Sequence, residues 1–238
     1  MKIALIGYGK MGKAIEEIAL QRGHEIVLTI DISNAADLTA ANLSKADVAI
    51  EFTGPESAFG NVMKCMEAGI PLVVGSTGWL QHLQDAEAAC KKSGAALLVA
   101  SNFSVGVNIF FEINKKLAQL MAPHKDYDVA LEEIHHTQKK DAPSGTAITL
   151  AEQVLASIKN KTHWVNTAAV NPDDLSIISK RIDPAPGTHT ITYSSAIDDI
   201  EIRHTAHNRK GFATGAVLAA EFLAGKKGIY TMSDVLGF

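Results

Sequence analysis

The opening stretch of the chain, up to Asp31, constrains the fold more than any other part. Lys2–Ile6 is a short apolar run that leads at once into Gly7-Tyr8-Gly9-Lys10-Met11-Gly12. A helical stretch to about Arg22 follows, then a second strand-like run, Glu25–Ile30, ending in Asp31. Strand, glycine loop, helix and strand make a β-α-β unit. The spacing Gly-x-Gly-x-x-Gly in that setting is a dinucleotide fingerprint. The first glycine permits the tight turn, the second lets backbone approach a pyrophosphate, and the third lets helix and strand pack closely. The helix start then offers N–H groups and a positive dipole end to phosphates. Asp31 lies 31 − 12 = 19 residues past the last glycine, against about 20 for an acid that accepts from ribose hydroxyls. Gly7, Tyr8, Gly9, Lys10, Met11, Gly12 and Asp31 are therefore candidate cofactor-binding residues. A carboxylate there repels a 2′-phosphate, and Ile32 stands where a basic residue would favour NADPH. NADH is the expected cofactor, with NADPH as the alternative.

Further strands are expected at Val48–Thr53, Leu72–Gly75 and Ala96–Ala100, with helices near Ala58–Glu67 and Leu80–Lys92. Alternation of this kind predicts a Rossmann-type parallel sheet with helices on both faces. After Phe103 the pattern changes. A helix over Val107–Met121, stopped by Pro123, precedes a strand Tyr127–Ile134 and a helix Gly145–Ile158 with one apolar stripe. Leu175–Ile182, His189–Ser194 and Glu201–Ala206 then read as strands without helices between them. They predict an α+β domain with an open, mixed sheet. The Ala-rich helix Ala213–Leu223 is expected to return to the first domain. The domain reading is thus 1–103 with 211–238 for the dinucleotide, and 104–210 for substrate binding and oligomerisation.

The 238 residues, 47% apolar and 20% charged, suit a globular protein with ample core. With a net charge of −4, nothing suggests the basic stripe usual on a nucleic-acid surface. No apolar run approaches the roughly 18 residues of a membrane span, and the N-terminus reads as a first strand, not a signal peptide. Cys65 and Cys90 lack CxxC spacing and read as reduced thiols of a cytoplasmic protein.

The reacting chemistry concentrates in Glu133–Ala147, EIHHTQKKDAPSGTA. His135 and His136 end a strand, so their side chains point in different directions. One can serve as acid or base and the other can donate to a substrate, since histidine titrates near neutral pH. Lys139 supplies an ammonium as proton donor or carboxylate partner. Asp141 or Ser144 can cap the next helix, and Pro143 suits its first turn. Ser144, Gly145 and Thr146 then present donors at a positive helix end, which is a carboxylate cradle. His204-x-x-His207 lacks a third ligand nearby, so no metal site is expected.

These motifs resemble the dihydrodipicolinate reductase (4-hydroxy-tetrahydrodipicolinate reductase) family of lysine and diaminopimelate biosynthesis, over nearly the whole chain. The resemblance rests on Glu133, His135, His136, Lys139 and Asp141–Ala147, on the loop 7–12, and on Gly75-Ser76-Thr77-Gly78 and Ala100–Asn108. It extends to Arg181 with Gly187 and His189, and to Glu201, Ile202, His204, Ala206 and Arg209. Ser76 replaces a threonine, Asp183 stands where a glycine is usual, and the region between Asp31 and Asp47 looks trimmed.

The resemblance implies that His135 is the general acid/base and Lys139 the proton donor. It implies that His136, Lys139, Gly145 and Thr146 hold the substrate carboxylates. Gly75, Ser76, Thr77, Ala100, Ser101, Asn102 and Phe103 would line the nicotinamide and its ribose. A homotetramer built through the second domain's sheet is expected. The implied reaction is hydride transfer from NAD(P)H to a cyclic unsaturated dicarboxylate, with water lost from the hydroxylated precursor. An aspartate- or homoserine-type dehydrogenase, and a dinucleotide-sensing module without turnover, are the competing readings.

Overall fold

A computed structural model describes residues 1–208 and 210–238. Arg209, named above in the resemblance, lies outside the described residues. The chain divides into two compact units, Met1–Val105 with Lys210–Phe238, and Gly106–Arg209.

In chain order the elements are β1 (Lys2–Ile6), α1 (Lys10–Gln21), β2 (Glu25–Ile30), α2 (Ala40–Leu43), β3 (Val48–Glu51), α3 (Pro55–Glu67), β4 (Leu72–Val74), α4 (Leu83–Ser93) and β5 (Ala96–Val99). Then follow α5 (Val105–Met121), β6 (Asp128–His135), α6 (Gly145–Ser157), β7 (His163–Val165), β8 (Asp174–Arg181), β9 (Gly187–Ser194) and β10 (Asp199–Ala206). The chain closes with α7 (Lys210–Leu223), β11 (Gly228–Tyr230) and α8 (Met232–Leu236).

The first unit is a six-stranded parallel sheet in the order β11-β5-β4-β3-β1-β2. Alternation along each strand feeds two cores. On β1, Ala4 and Ile6 join α3 and α4 residues such as Val62, Met66 and Cys90 on one face. Ile3 and Leu5 join Ile15 and Ala19 of α1 and the alanines of α7 on the other. Gly215 of α7 is required for that packing, because a Cβ there would fall 1.7 Å from the Phe103 carbonyl oxygen. The expected helix Leu80–Lys92 is interrupted: a 3-10 turn, Leu80–His82, precedes α4. Between β2 and β3 lie a 3-10 turn, Ile32–Asp37, and the single turn of α2.

The second unit is a five-stranded mixed sheet in the order β10-β9-β6-β8-β7. β10, β9 and β6 run antiparallel, while β6, β8 and β7 run parallel. α5 and α6 bury one face through Val107, Phe110, Leu150 and Val154 against Val129, Leu131, Ile177 and Ile191. Asn114 of α5 donates to the Leu150 carbonyl at 3.1 Å and to Gln153 at 3.0 Å, which fixes the register of the two helices. No helix among the described residues is long and apolar enough to cross a membrane.

Candidate active site

In the first unit the three glycines of the loop separate by what a side chain would meet. At Gly7 (φ +95°) a Cβ would fall 2.1 Å from the Phe52 carbonyl oxygen, and at Gly12 one would fall 2.2 Å from the Gly7 oxygen. At Gly9 nothing among the described residues lies within 4 Å. The outer glycines are thus forced by packing, while the middle one faces open space. Gly9 is also the N-cap of α1, with no side chain capping it and no acid in the first turn. The first-turn amides of α1 therefore keep both their hydrogen-bonding capacity and their positive field.

A cavity of about 660 Å³ opens there, lined by Gly7, Tyr8, Gly9, Asp31 and Ile32 with the segment Phe52–Ser57. It lies where the strand order reverses about β1, since β2 is added on one side and β3 on the other. Open parallel sheets bind ligands at that switch point. Asp31 caps the 3-10 turn, accepting from Ile32 N at 2.8 Å, while Asn34 accepts from Asp31 N at 2.7 Å and donates to the Thr29 carbonyl at 2.9 Å. Ile32 is 95% exposed.

The remaining candidate cofactor residues lie outside that cavity's lining. Ser76 is buried, and its hydroxyl accepts from Thr53 N at 2.7 Å. Gly75 gives way to the Phe52 ring, where a Cβ would fall 2.1 Å away. Thr77 and Ser101 are exposed. Ala100 N donates to the Val74 carbonyl at 3.1 Å, Asn102 accepts from Ser104 N at 2.9 Å, and Phe103 is buried against Phe52. Beside them, Glu51 is fully buried. Burial pushes its carboxyl upward, against hydrogen bonds from Thr53, Ser76 and Asn61.

In the second unit the strand register builds the site in rows. Val129, Leu131, Glu133 and His135 share the inward face of β6. Leu131 lies between Ile191 and Ile177, and the next inward row is His189, Glu133 and Ser179. The row after that holds His135 beside Arg181. Gly187 flanks it on β9, where a Cβ would fall 3.0 Å from His135 Nε2. The core thus turns polar over the last two rows of the sheet.

Arg181 donates to Glu133 Oε1 at 3.0 Å and to the Asp141 carbonyl at 2.7 Å. His135 Nδ1 forms an ion-pair contact with Glu133 Oε2. Burial alone would raise the Glu133 carboxyl, but His135, Ser179 and Arg181 outweigh it and bring it down to about 2. The His189 ring stands edge-on to His135 at 5.1 Å. Burial, reinforced by His135, pushes His189 down to about 3, so it is neutral.

His189 Nε2 lies 3.1 Å from Ser144 Oγ, which also accepts from Ala147 N as the cap of α6. Ser144 and not Asp141 is the cap, and Pro143 precedes it instead of occupying the first helical turn. Asp141 holds Lys139, whose Nζ reaches both carboxylate oxygens at 2.9 and 2.8 Å. The Ser144 hydroxyl is buried in these contacts, so it fixes the helix start from behind. Gly145 and Thr146 lie at the more open side of the same turn. Asp183 accepts from Thr137 N at 3.1 Å and from its hydroxyl at 2.6 Å, tying the turn after His136 to the end of β8.

Glu133, His135 and His189 bring ligand-type atoms within 4.8 Å of one another.

Comparison with known proteins gives a consistent family. The model of the dihydrodipicolinate reductase N-terminus matches residues 1–103, and that of its C-terminus matches residues 106–236. A 4-hydroxy-tetrahydrodipicolinate reductase of Christiangramia forsetii is 51% identical over 238 residues, covering 99% of this chain and 98% of the relative. One of Methanosarcina mazei is 36% identical over 240 residues, covering 99% and 89%. Among solved structures, a dihydrodipicolinate reductase of Paenisporosarcina with dipicolinate bound aligns with a TM-score of 0.75 at 24% identity, covering 97% of each chain. At that identity the structural likeness speaks for the fold.

Proposed function

The chain belongs to the dihydrodipicolinate reductase family, and from that premise we propose the working arrangement of its site. The protein is an NAD(P)H-dependent oxidoreductase that reduces 4-hydroxy-tetrahydrodipicolinate to tetrahydrodipicolinate in lysine and diaminopimelate biosynthesis. The aspartate- or homoserine-type dehydrogenase and the sensing module are not favoured.

Residues 1–103 with 211–238 bind the dinucleotide, and residues 104–210 bind the substrate and carry the acid/base groups. The open space at Gly9 and the uncapped start of α1 fit a pyrophosphate. When bound, the nicotinamide cofactor supplies the hydride. Asp31 at the cavity wall accepts from ribose hydroxyls and repels a 2′-phosphate, so NADH is the preferred cofactor. Gly75–Thr77 and Ala100–Phe103 shape the nicotinamide end.

The start of α6, with Gly145, Thr146, His136 and Lys139, holds the two substrate carboxylates. His135 acts as general acid/base, and Lys139 delivers the proton that completes the reduced ring. The enzyme is a cytoplasmic homotetramer assembled through the second unit's sheet, whose outer strand β10 leaves Ile200 exposed.

One observation carries the reading. His135 meets His189 at 5.1 Å, and His189 meets the Ser144 cap of α6 at 3.1 Å, so an acid/base group and an anion cradle are side by side. The test follows loss of NADH with the freshly prepared condensation product of pyruvate and aspartate semialdehyde. His135→Asn and Lys139→Met are expected to lower kcat by roughly 10²–10⁴-fold with the fold intact. Near-normal turnover in both variants overturns the assignment.

A further inference from the structure

We propose that Glu133 is a positioning residue for His135: a buried carboxylate, locked by Arg181, that fixes which ring nitrogen of His135 carries its proton. This rests on the acid/base reading of His135 given above.

Glu133 and His135 are two apart on β6, so both project from one face. Glu133 Oε2 meets His135 Nδ1, and neither atom has a hydrogen-bond partner elsewhere among the described residues. The other carboxylate oxygen accepts from Arg181 at 3.0 Å. Arg181 also holds the Asp141 carbonyl, so the same guanidinium anchors the loop that carries Lys139.

A carboxylate can only accept, so Nδ1 must carry a proton and Nε2 becomes the exchanging nitrogen. Nε2 is also the atom beside Gly187, the one neighbour on β9 that brings no side chain against it. The other groups around the pair are neutral His189 on β9, His204 on β10, Ser179 on β8, and Lys139 with Asp141 on the loop.

A buried ion cluster is weak evidence of a purely stabilising role. Replacing a buried ion cluster by apolar side chains of similar volume is often neutral or stabilising. The rows immediately before it on the same strands, Leu131 with Ile177 and Ile191, are apolar. A base oriented by a third group is instead a recurrent feature of proton-transfer sites.

The experiment compares wild type, Glu133→Gln, His135→Asn and the double variant, with kcat, KM and pH profiles. Glu133→Gln is expected to lower kcat by about 10²-fold, toward the lower end of what acid–base catalysis contributes, and to leave KM for NADH unchanged. The pH profile of kcat/KM is expected to differ from that of wild type, because the carboxylate facing the His135 ring is gone. In the His135→Asn background, Glu133→Gln adds no further loss. Glu133→Asp, which keeps the charge on a shorter arm, recovers part of the rate. Additive losses in the double variant, or an unchanged pH profile, overturn the proposal. If His135→Asn is slow while Glu133→Gln is fast, this proposal alone falls. If His135→Asn turns over normally, the acid/base reading falls and takes the proposal with it. Nitrogen NMR of histidine-labelled wild type is an independent check: Nδ1-protonated His135 supports the proposal, and the Nε2-protonated tautomer refutes it.

Discussion

Replacing Gly9 and Gly12 by alanine, one at a time, separates packing from ligand approach within one loop. At Gly12 the new Cβ would lie 2.2 Å from the Gly7 carbonyl oxygen. Comfortable carbon–heavy-atom contact begins near 3.5 Å, so loop and helix must part by roughly 1 Å. Overpacking of that kind costs about 1–3 kcal/mol. For a chain of this size, each kcal/mol is worth roughly 2–4 °C in Tm, so Gly12→Ala should melt about 2–12 °C lower. Its NADH binding should suffer too, since α1 is displaced.

At Gly9 no atom of the described residues lies within 4 Å of the new Cβ, and the backbone there (φ −78°, ψ −154°) is open to alanine. The stability loss is confined to the weaker N-cap, at most about 1 kcal/mol. The added methyl instead occupies the space through which a pyrophosphate would approach. Gly9→Ala should therefore lose at least about tenfold in NADH affinity, or 1.4 kcal/mol, at nearly native Tm. Thermal melts with NADH fluorescence titrations read both quantities. Wild-type affinity in Gly9→Ala would refute the placing of the phosphates at the start of α1. Wild-type melting of Gly12→Ala would refute the packing argument.

Three further outcomes are expected. Ile32→Arg places a cation on a side chain that is 95% exposed at the cavity rim. It should shift the kcat/KM ratio toward NADPH by about fivefold, the worth of a good exposed ion pair, and an unchanged ratio contradicts the assignment of Asp31 and Ile32. Asp141→Asn frees Lys139 from an exposed pair worth at most about 1 kcal/mol; KM for the dicarboxylate should fall by up to about fivefold with kcat unchanged, and a raised KM argues that Asp141 orients Lys139 instead. In acid, the unfolded chain protonates His189 below its ordinary value near 6.5 while the folded protein resists until about 3, so stability is lost as pH falls through that window. Glu133 acts in the same direction, its contribution being complete above 4.5 and lost toward about 2. Denaturant titrations at pH 7 and pH 5 should show a smaller drop for His189→Asn than for wild type, and equal drops exclude His189 as the cause.

What could be read from the chain, and what could not, divides along the range of the forces involved. β1, α1 and β2 were legible because hydrophobic period, glycine spacing and the terminal acid all lie within one local unit. The cap of α6 was legible as a choice between Asp141 and Ser144. The helix start at Gly145 settles it for Ser144, which accepts from Ala147 N, and the contact of Ser144 with His189, 45 residues away, is the part that no local rule contains. The three-residue strands β7 and β11 went unread, because Gly228–Tyr230 is a strand only through pairing with Ala96–Leu98 across the chain. The cavity wall Phe52–Ser57 was missed for a related reason. Nothing in its residues marks a ligand surface; it becomes one because β3 is added beside β1 on the side away from β2.

The same logic explains the partial legibility of the reacting cluster. His135, His136 and Lys139 were identifiable because their chemistry is unusual at close spacing. Glu133 was visible only as a residue of the resemblance, with no role attached. Its inward direction follows from its place on β6, two residues before His135, but its partner Arg181 lies 48 residues on and reaches it only through the parallel pairing of β6 with β8. A charge buried at the end of an otherwise apolar strand face is expensive unless something answers it. Here the answer comes from two directions, a fixed guanidinium on β8 and a titratable ring on β6 itself. For that reason the pair of Glu133 with His135, more than either histidine considered alone, is where the pH dependence of this enzyme should be sought.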